Sequence, residues 1–304
     1  MSVSRSKGRG TPTPRPARAA TSDDASSAAG ATGTGRVVAF VALAFGLSWG
    51  VGAALAGLPV LAPDGIFIAG VPLAALTVLA ATEGRAGLRD LGRRLIRWRV
   101  AARWYVLVVA APITLVGVAC ALLPLVGGRG SDWTRLPSPT STLALLGGLL
   151  VLPVGAPVGE EIGWRGYALP RLLARRSAAV SAVALGVVWA LWHLPLVLSD
   201  PLTREPVPFL LQIVPLSVLF TWVFVHTNGS LLRAVLFHAC FDVALASAAP
   251  TLAVDDYARL WWALLVLQTL AAAAVVGFGG LRAGAVGDAR VSTATRRTSQ
   301  LNQT

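Results

Sequence analysis

The stretch AAVSAVALGVVWALWHLPLVL, residues 178–198, contains 21 residues and no aspartate, glutamate, lysine or arginine. A helix needs about 20 mostly apolar residues to cross the hydrocarbon core of a bilayer, so this stretch is long enough to span a membrane. The one ionisable side chain in it is that of His193. Similar apolar runs recur along the chain, and the pattern predicts a polytopic helical membrane protein.

The composition of the whole chain supports this prediction. Of its 304 residues, 55% are hydrophobic and 13% are charged, and the mean hydropathy is +0.68. Soluble domains contain about 25% charged residues. We therefore expect an all-α fold with eight transmembrane helices. The predicted spans are residues 37–57, 62–82, 104–126, 142–158, 178–198, 209–226, 230–249 and 258–281.

The distribution of arginine predicts the orientation of these spans. With eight spans and the N-terminus inside, 22 of the 26 basic residues lie on the cytoplasmic side and four on the other side. This asymmetry follows the positive-inside rule, so both ends of the chain are expected in the cytoplasm. Residues 1–36 and 282–304 lack apolar periodicity and are predicted to be disordered tails around a transmembrane domain at 37–281.

The net charge of +12 raises the question of a nucleic-acid partner. However, half of the 26 basic residues lie in the N-terminal tail and in the loop 83–103, and this loop has the pattern of an amphipathic interfacial helix. Anionic lipid headgroups attract such a segment, so we expect the bilayer as partner and no nucleic acid. Lys7 is the single lysine among the 26 basic residues, and this preference for arginine over lysine is typical of a GC-rich bacterial genome. The expected location is a bacterial plasma membrane.

The positions of the two cysteines give no indication of a redox or metal function. Cys120 and Cys240 both lie within apolar runs, without the CxxC spacing of redox and zinc motifs. We interpret them as small core residues.

Charged residues interrupt the apolar pattern at VGEEIGWRGYALPRL, residues 158–172. A charge at bilayer depth costs at least about 2.5–3.5 kcal/mol. On a helix, Glu161 and Arg165 are four residues apart and can pair, whereas Glu160 points about 100° away from Glu161. An unpaired carboxylate away from water is a candidate general base, although a solvated charged turn between two spans would explain the motif equally well.

Two further polar sites lie within apolar runs. His193 follows Trp189 by one helical turn, and His238 precedes Asp242 by one turn. A lone membrane histidine is often only a hydrogen-bonded core residue, but a carboxylate one turn away can orient an imidazole or share a metal ion with it. From the positions of the turns, Glu160 and His193 are expected at the same depth. His238 reaches that depth if the hairpin that carries the first two extends about 10 Å further into the cytoplasm, and all three sites then converge in one pocket.

The order of these motifs resembles that of the CPBP family, the CAAX-protease and bacteriocin-processing intramembrane proteases, also called the Abi family. The motifs here are EEIGWR at 160–165, WALWH at 189–193 and HACFD at 238–242, within a family-like core at about 143–249. Trp189 stands where the family usually has phenylalanine, which keeps an aromatic ring. The last position, Asp242, is asparagine or aspartate in the family.

The resemblance implies a membrane endopeptidase that cleaves peptide or protein substrates near the cytoplasmic face. Glu160 would activate a water, while Glu161 and Arg165 would fix the helix as structural partners. His193 and His238 would stabilise the developing oxyanion or bind a metal ion, with Asp242 orienting His238 or completing the metal site. The possible metal ligands are Glu160, His193, His238 and Asp242, and zinc is the ion that suits them best. The HExxH signature of zinc proteases is absent from the sequence.

Two alternatives remain open at this point. The first is a non-catalytic membrane immunity or scaffold protein that retains the relic of a site. The second is a proton-coupled transporter, in which buried carboxylates and histidines relay protons. Such transporters are often built from inverted repeats. The sequence shows none, and its candidate residues cluster in the second half of the chain.

Overall fold

The computed structural model describes residues 22–55, 66–151, 156–199, 206–278 and 280–281. These residues form helices and short connections, with no β-strand among them. The α-helices in chain order are α1 (Ser22–Phe45), α2 (Gly52–Ala54), α3 (Gly70–Leu95), α4 (Ala102–Leu122), α5 (Pro139–Val151), α6 (Ala156–Glu161), α7 (Leu169–Leu173), α8 (Ala178–Trp192), α9 (Leu194–Ser199), α10 (Pro206–His226), α11 (Leu231–Ala248) and α12 (Asp256–Gly277). The all-α prediction is confirmed.

Six helical segments in the described part of the chain are long and apolar enough to cross a membrane. They are Thr34–Ala54, Ala102–Val126, Ala178–Ser199, Pro206–His226, Leu231–Thr251 and Asp256–Gly277. Together they identify an integral membrane protein. Each of them overlaps one of the eight predicted spans.

The other two predicted spans are not among these six segments. The span predicted at 62–82 begins in residues outside the described ranges and continues into α3. The one predicted at 142–158 is divided between α5 and α6, with a shorter apolar helix at Pro139–Leu150. The number of eight spans and the cytoplasmic location of both ends stay predictions.

The N-terminal part of the chain is helical earlier than the sequence suggested. Helix α1 begins at Ser22, within the segment predicted as a disordered tail. Residues 1–21 and 282–304, the rest of the two predicted tails, lie outside the described residues.

Helix α3 bends where its sequence changes from apolar to basic. Gly84 has a backbone φ of +57° inside the helix. A side chain at this φ would strain the backbone, so glycine suits the bend. After the bend, Arg85, Arg89 and Arg93 are exposed, in agreement with a helix that lies at the membrane surface.

The core of the molecule forms around α10, which packs against both α8 and α12. Gly186 on α8 permits the close approach of α10, since a Cβ there would lie 2.9 Å from Cα of Val214. Small residues at such crossings are typical of membrane helix packing. Helix α11 packs against α4 and α6, which brings the predicted HACFD motif next to the EEIGWR motif.

Candidate active site

The EEIGWR motif lies on a helix that changes its winding in the middle. Helix α6 ends at Glu161, a π-helical segment follows at Ile162–Ala168, and α7 continues from Leu169. The spacing of the motif had predicted a regular α-helix. A π-helical turn is rare and often marks a functional site, because it holds side chains away from the positions of a regular helix.

All three charged side chains of this motif are buried. Glu160 is 3% exposed, and Glu161 and Arg165 are fully buried. The alternative of a solvated charged turn between two spans is therefore wrong. Their charges must be balanced inside the protein.

Glu161 connects the motif with α11. Its Oε1 accepts a hydrogen bond from Nη1 of Arg165 at 2.9 Å, as the four-residue spacing predicted. The same oxygen lies 3.0 Å from Nδ1 of His238. Since a carboxylate accepts, His238 donates through Nδ1. Glu161 therefore fixes both the arginine and the orientation of the His238 ring.

Arg165 is held by aromatic faces as well as by Glu161. Its guanidinium carbon lies 4.2 Å from the ring centre of Trp189 and 4.1 Å from that of Phe220. Its Nε and Nη2 have no hydrogen-bond partner among the described residues. The π-electrons of two rings thus compensate part of the positive charge.

Glu160 points away from Arg165 and meets Trp189 instead. Its Oε2 accepts a hydrogen bond of 2.6 Å from the indole Nε1. Within the described ranges no arginine or lysine forms an ion pair with Glu160. The carboxylate therefore has one hydrogen-bonded oxygen and no ion pair with an arginine or lysine there.

His193 is oriented by the end of its own helix. Helix α8 ends at Trp192, and the backbone N–H of His193 bonds to the carbonyl of Ala190 instead of that of Trp189. The carbonyl of Trp189 is then free to accept from Nδ1 of His193, at 2.8 Å. Because a carbonyl only accepts, Nδ1 carries the proton, and in the neutral ring Nε2 is an acceptor.

His238 and Asp242 are near each other but are not hydrogen-bonded. Nε2 of His238 lies 3.8 Å from Oδ1 of Asp242, beyond hydrogen-bond distance. The structure thus gives the direct contact with His238 to Glu161, whereas the family resemblance implied that Asp242 either orients His238 or completes a metal site. Asp242 still faces the second nitrogen of the ring and is part of the same cluster.

Trp189 is the residue that connects the three motifs. Its ring centre lies 5.7 Å from that of His193 and 5.6 Å from that of His238, and its indole binds Glu160. The acid and both imidazoles are therefore neighbours of one side chain, as the depth estimate predicted. The remaining histidine, His226, bonds to the carbonyl of Trp222 and packs against Trp104, away from the cluster.

The predicted metal site depends on how the four candidate ligands are grouped in the fold. Nowhere in the described ranges do three or more His, Cys, Asp or Glu side chains form a group that could hold an ion. Nδ1 of His238 is engaged with Glu161, and Oε2 of Glu160 with Trp189. The four predicted ligands therefore do not stand as a ready-made ion site among the described residues, and zinc binding stays a prediction.

Sequence reasoning missed three features of the site. It treated Trp189 as a substitute for phenylalanine and did not consider its indole N–H. It assigned Glu161 to Arg165 alone, although one carboxylate oxygen can accept two hydrogen bonds. It did not identify Phe220, which touches Arg165 from α10 and has no polar group that would mark it in an apolar run.

Fold and site together define a class, a polytopic helical membrane protein with a buried cluster of carboxylates and imidazoles. A family model described as "Type II CAAX prenyl endopeptidase Rce1-like" matches residues 142–244. A curated relative, "CAAX prenyl protease 2" of Methanococcus maripaludis, is 31% identical over 99 residues. That alignment covers 30% of this chain and 36% of the length of the relative.

These two matches confirm the resemblance that the motifs indicated. Residues 142–244 are similar to the type II CAAX prenyl endopeptidase family, and this matched segment is about a third of the chain. It contains all six residues of the candidate site, from Glu160 to Asp242.

Proposed function

We propose that this protein is a membrane endopeptidase that hydrolyses peptide bonds close to the membrane surface. The observation that carries the proposal is the meeting of Glu160, His193 and His238 around Trp189, inside the segment that matches the family model. A single acid with two imidazoles supplies a base, a hydrogen-bond donor and a hydrogen-bond acceptor for amide hydrolysis.

In the proposed reaction, Glu160 is the general base. Its carboxylate takes a proton from a water molecule, and the resulting hydroxide attacks the carbonyl carbon of the scissile amide. The tetrahedral intermediate collapses when the C–N bond breaks, and the proton moves from Glu160 to the leaving nitrogen. General-base help of this kind typically contributes about 10²–10⁴-fold in rate.

The imidazoles differ in what they can offer to this reaction. With Nδ1 of His238 directed at Glu161, the ring can donate to the oxyanion only through Nε2, when that nitrogen carries a proton. Neutral His193 offers the lone pair of Nε2 and can accept a hydrogen bond from the water or from the substrate. The predicted zinc ion would polarise the carbonyl if bound, and no step above depends on it.

The proposed substrates are peptides or proteins with a cleavage site near the bilayer. The name of the Methanococcus relative refers to CAAX prenyl proteins, and a short hydrophobic or lipid-modified segment is the corresponding chemistry for this chain. The proposed location is a bacterial plasma membrane. The exposed arginines that follow Gly84 would then rest on its anionic headgroups.

The test is cleavage of a peptide library by the purified protein in lipid nanodiscs, read by mass spectrometry. We expect Glu160→Gln and His193→Ala to abolish cleavage. His226→Ala is the matched control, because this histidine lies outside the cluster, and it should retain activity. If both site variants cleave like the wild type, the proposal is wrong. If the folded wild type cleaves no peptide of the library, the scaffold alternative gains support.

A further inference from the structure

Trp189 makes polar and aromatic contacts with several members of the cluster, which its position in the WALWH motif does not predict. It is 2% exposed, its indole donates to Glu160, and its carbonyl accepts from His193. Its ring also covers Arg165 and forms an edge-to-face contact with His238. No other side chain of the cluster contacts the acid, the arginine and both histidines.

The indole N–H distinguishes tryptophan from phenylalanine at this position. A phenylalanine ring could still pack against His193 and Arg165, but it has no group to donate to a carboxylate. A hydrogen bond to a buried charged group contributes more than one between neutral groups and favours the ionised form of the acceptor. In this chain, the contact holds Oε2 of Glu160 in a fixed place.

We propose that Trp189 is a positioning residue, whose indole N–H holds one oxygen of Glu160 so that the other oxygen is directed at the water. The inference rests on the proposed function, in which Glu160 is the general base. Without the donor, the carboxylate could rotate about its side-chain bonds, and fewer orientations would be productive. The donor also stabilises the charged carboxylate that must accept the proton.

The first test compares Trp189→Phe with Trp164→Phe by steady-state kinetics. Trp164 is also fully buried, and its indole N–H has no partner among the described residues, so this variant controls for loss of a buried indole. Loss of a hydrogen bond to a charged group corresponds to about a tenfold or greater effect. We expect Trp189→Phe to lower kcat by at least that factor and to leave KM unchanged.

The pH profile is a readout that a purely structural residue would not change. Glu160 lies on α6, outside the six candidate spans. When the carboxylate loses its donor, its ionised form is less stable and the pKa of the carboxyl rises. The acidic limb of the kcat/KM profile of Trp189→Phe should therefore move to higher pH by about one unit. An unchanged kcat and pH profile in this variant would overturn the inference.

A second experiment separates the failure of this inference from the failure of the proposed function. In protein with ¹⁵N-labelled tryptophan, the indole N–H resonance that disappears in Trp189→Phe should shift in Glu160→Gln. This readout needs no enzymatic activity. If that resonance is the same in Glu160→Gln and in the wild type, the hydrogen bond is absent and the inference is wrong, whether or not the protein cleaves peptides. If it shifts while the wild type cleaves nothing, the contact stands and the proposed function fails.

Discussion

Replacing Arg165 with methionine should destabilise the protein strongly, because the arginine balances a carboxylate that has no access to water. The guanidinium and Glu161 are both fully buried, and their atoms approach to 2.9 Å. Removing one partner of a buried ion pair typically costs about 3–5 kcal/mol, since the remaining charge loses its ionic partner. The contacts with Trp189 and Phe220 are lost as well, and each is worth about 0.5–2 kcal/mol.

We therefore expect Arg165→Met to lower the free energy of unfolding by at least about 3 kcal/mol. The assay is reversible unfolding in mixed micelles titrated with SDS, followed by circular dichroism. Arg176→Met is the control, because Arg176 is exposed in the turn between α7 and α8. Such surface changes usually stay within about 0.5 kcal/mol. If Arg165→Met and the control unfold at the same SDS concentration, the buried pair does not stabilise the fold as argued.

A double variant tests whether the effect arises from the charge on Glu161. Glu161→Gln combined with Arg165→Met removes both charges, so the penalty for an uncompensated carboxylate disappears. The double variant should be more stable than the sum of the two single losses predicts, with a coupling of about 0.5–3 kcal/mol. Simple additivity would contradict a direct interaction between the two side chains.

Two further predictions concern the helix packing and the membrane surface. Gly186→Val should lower the free energy of unfolding by about 1–3 kcal/mol in the same SDS titration, because the new side chain meets the α10 backbone. A variant as stable as the wild type would show that α8 and α10 do not approach so closely. The double variant Arg85→Gln, Arg89→Gln should attract less anionic lipid in nanodiscs. The free energy of its interaction with anionic lipid should weaken by about 1 kcal/mol per arginine. Arg129→Gln with Arg135→Gln removes the same charge from the side predicted to face away from the cytoplasm, and an equal loss in that variant would contradict the predicted surface contact.

The sequence predicted the fold class and the composition of the site because both depend on local patterns. Apolar runs of about 20 residues identify membrane helices with little ambiguity. The contact between Glu161 and Arg165 follows from a four-residue spacing, which places both side chains on one helical face. Rare polar residues at depth then indicate where the helices must meet.

Other features depend on contacts between helices that no spacing rule describes. The hydrogen bond from Trp189 to Glu160 joins residues 29 positions apart, and the one from His238 to Glu161 joins residues 77 positions apart. The π-helical segment after α6 also changes the directions of the side chains that follow. The preference of His238 for Glu161 over Asp242 is a result of this tertiary arrangement.

The attack of an activated water on the amide can be measured directly. A peptide identified as a substrate is incubated in H₂¹⁸O with the wild type and with Glu160→Gln, and the products are weighed by mass spectrometry. We predict that the wild type places one ¹⁸O atom in the new carboxyl terminus and that the variant cleaves at least about 10²-fold more slowly. Equal rates of ¹⁸O incorporation by the two proteins would contradict the role of Glu160 as the base.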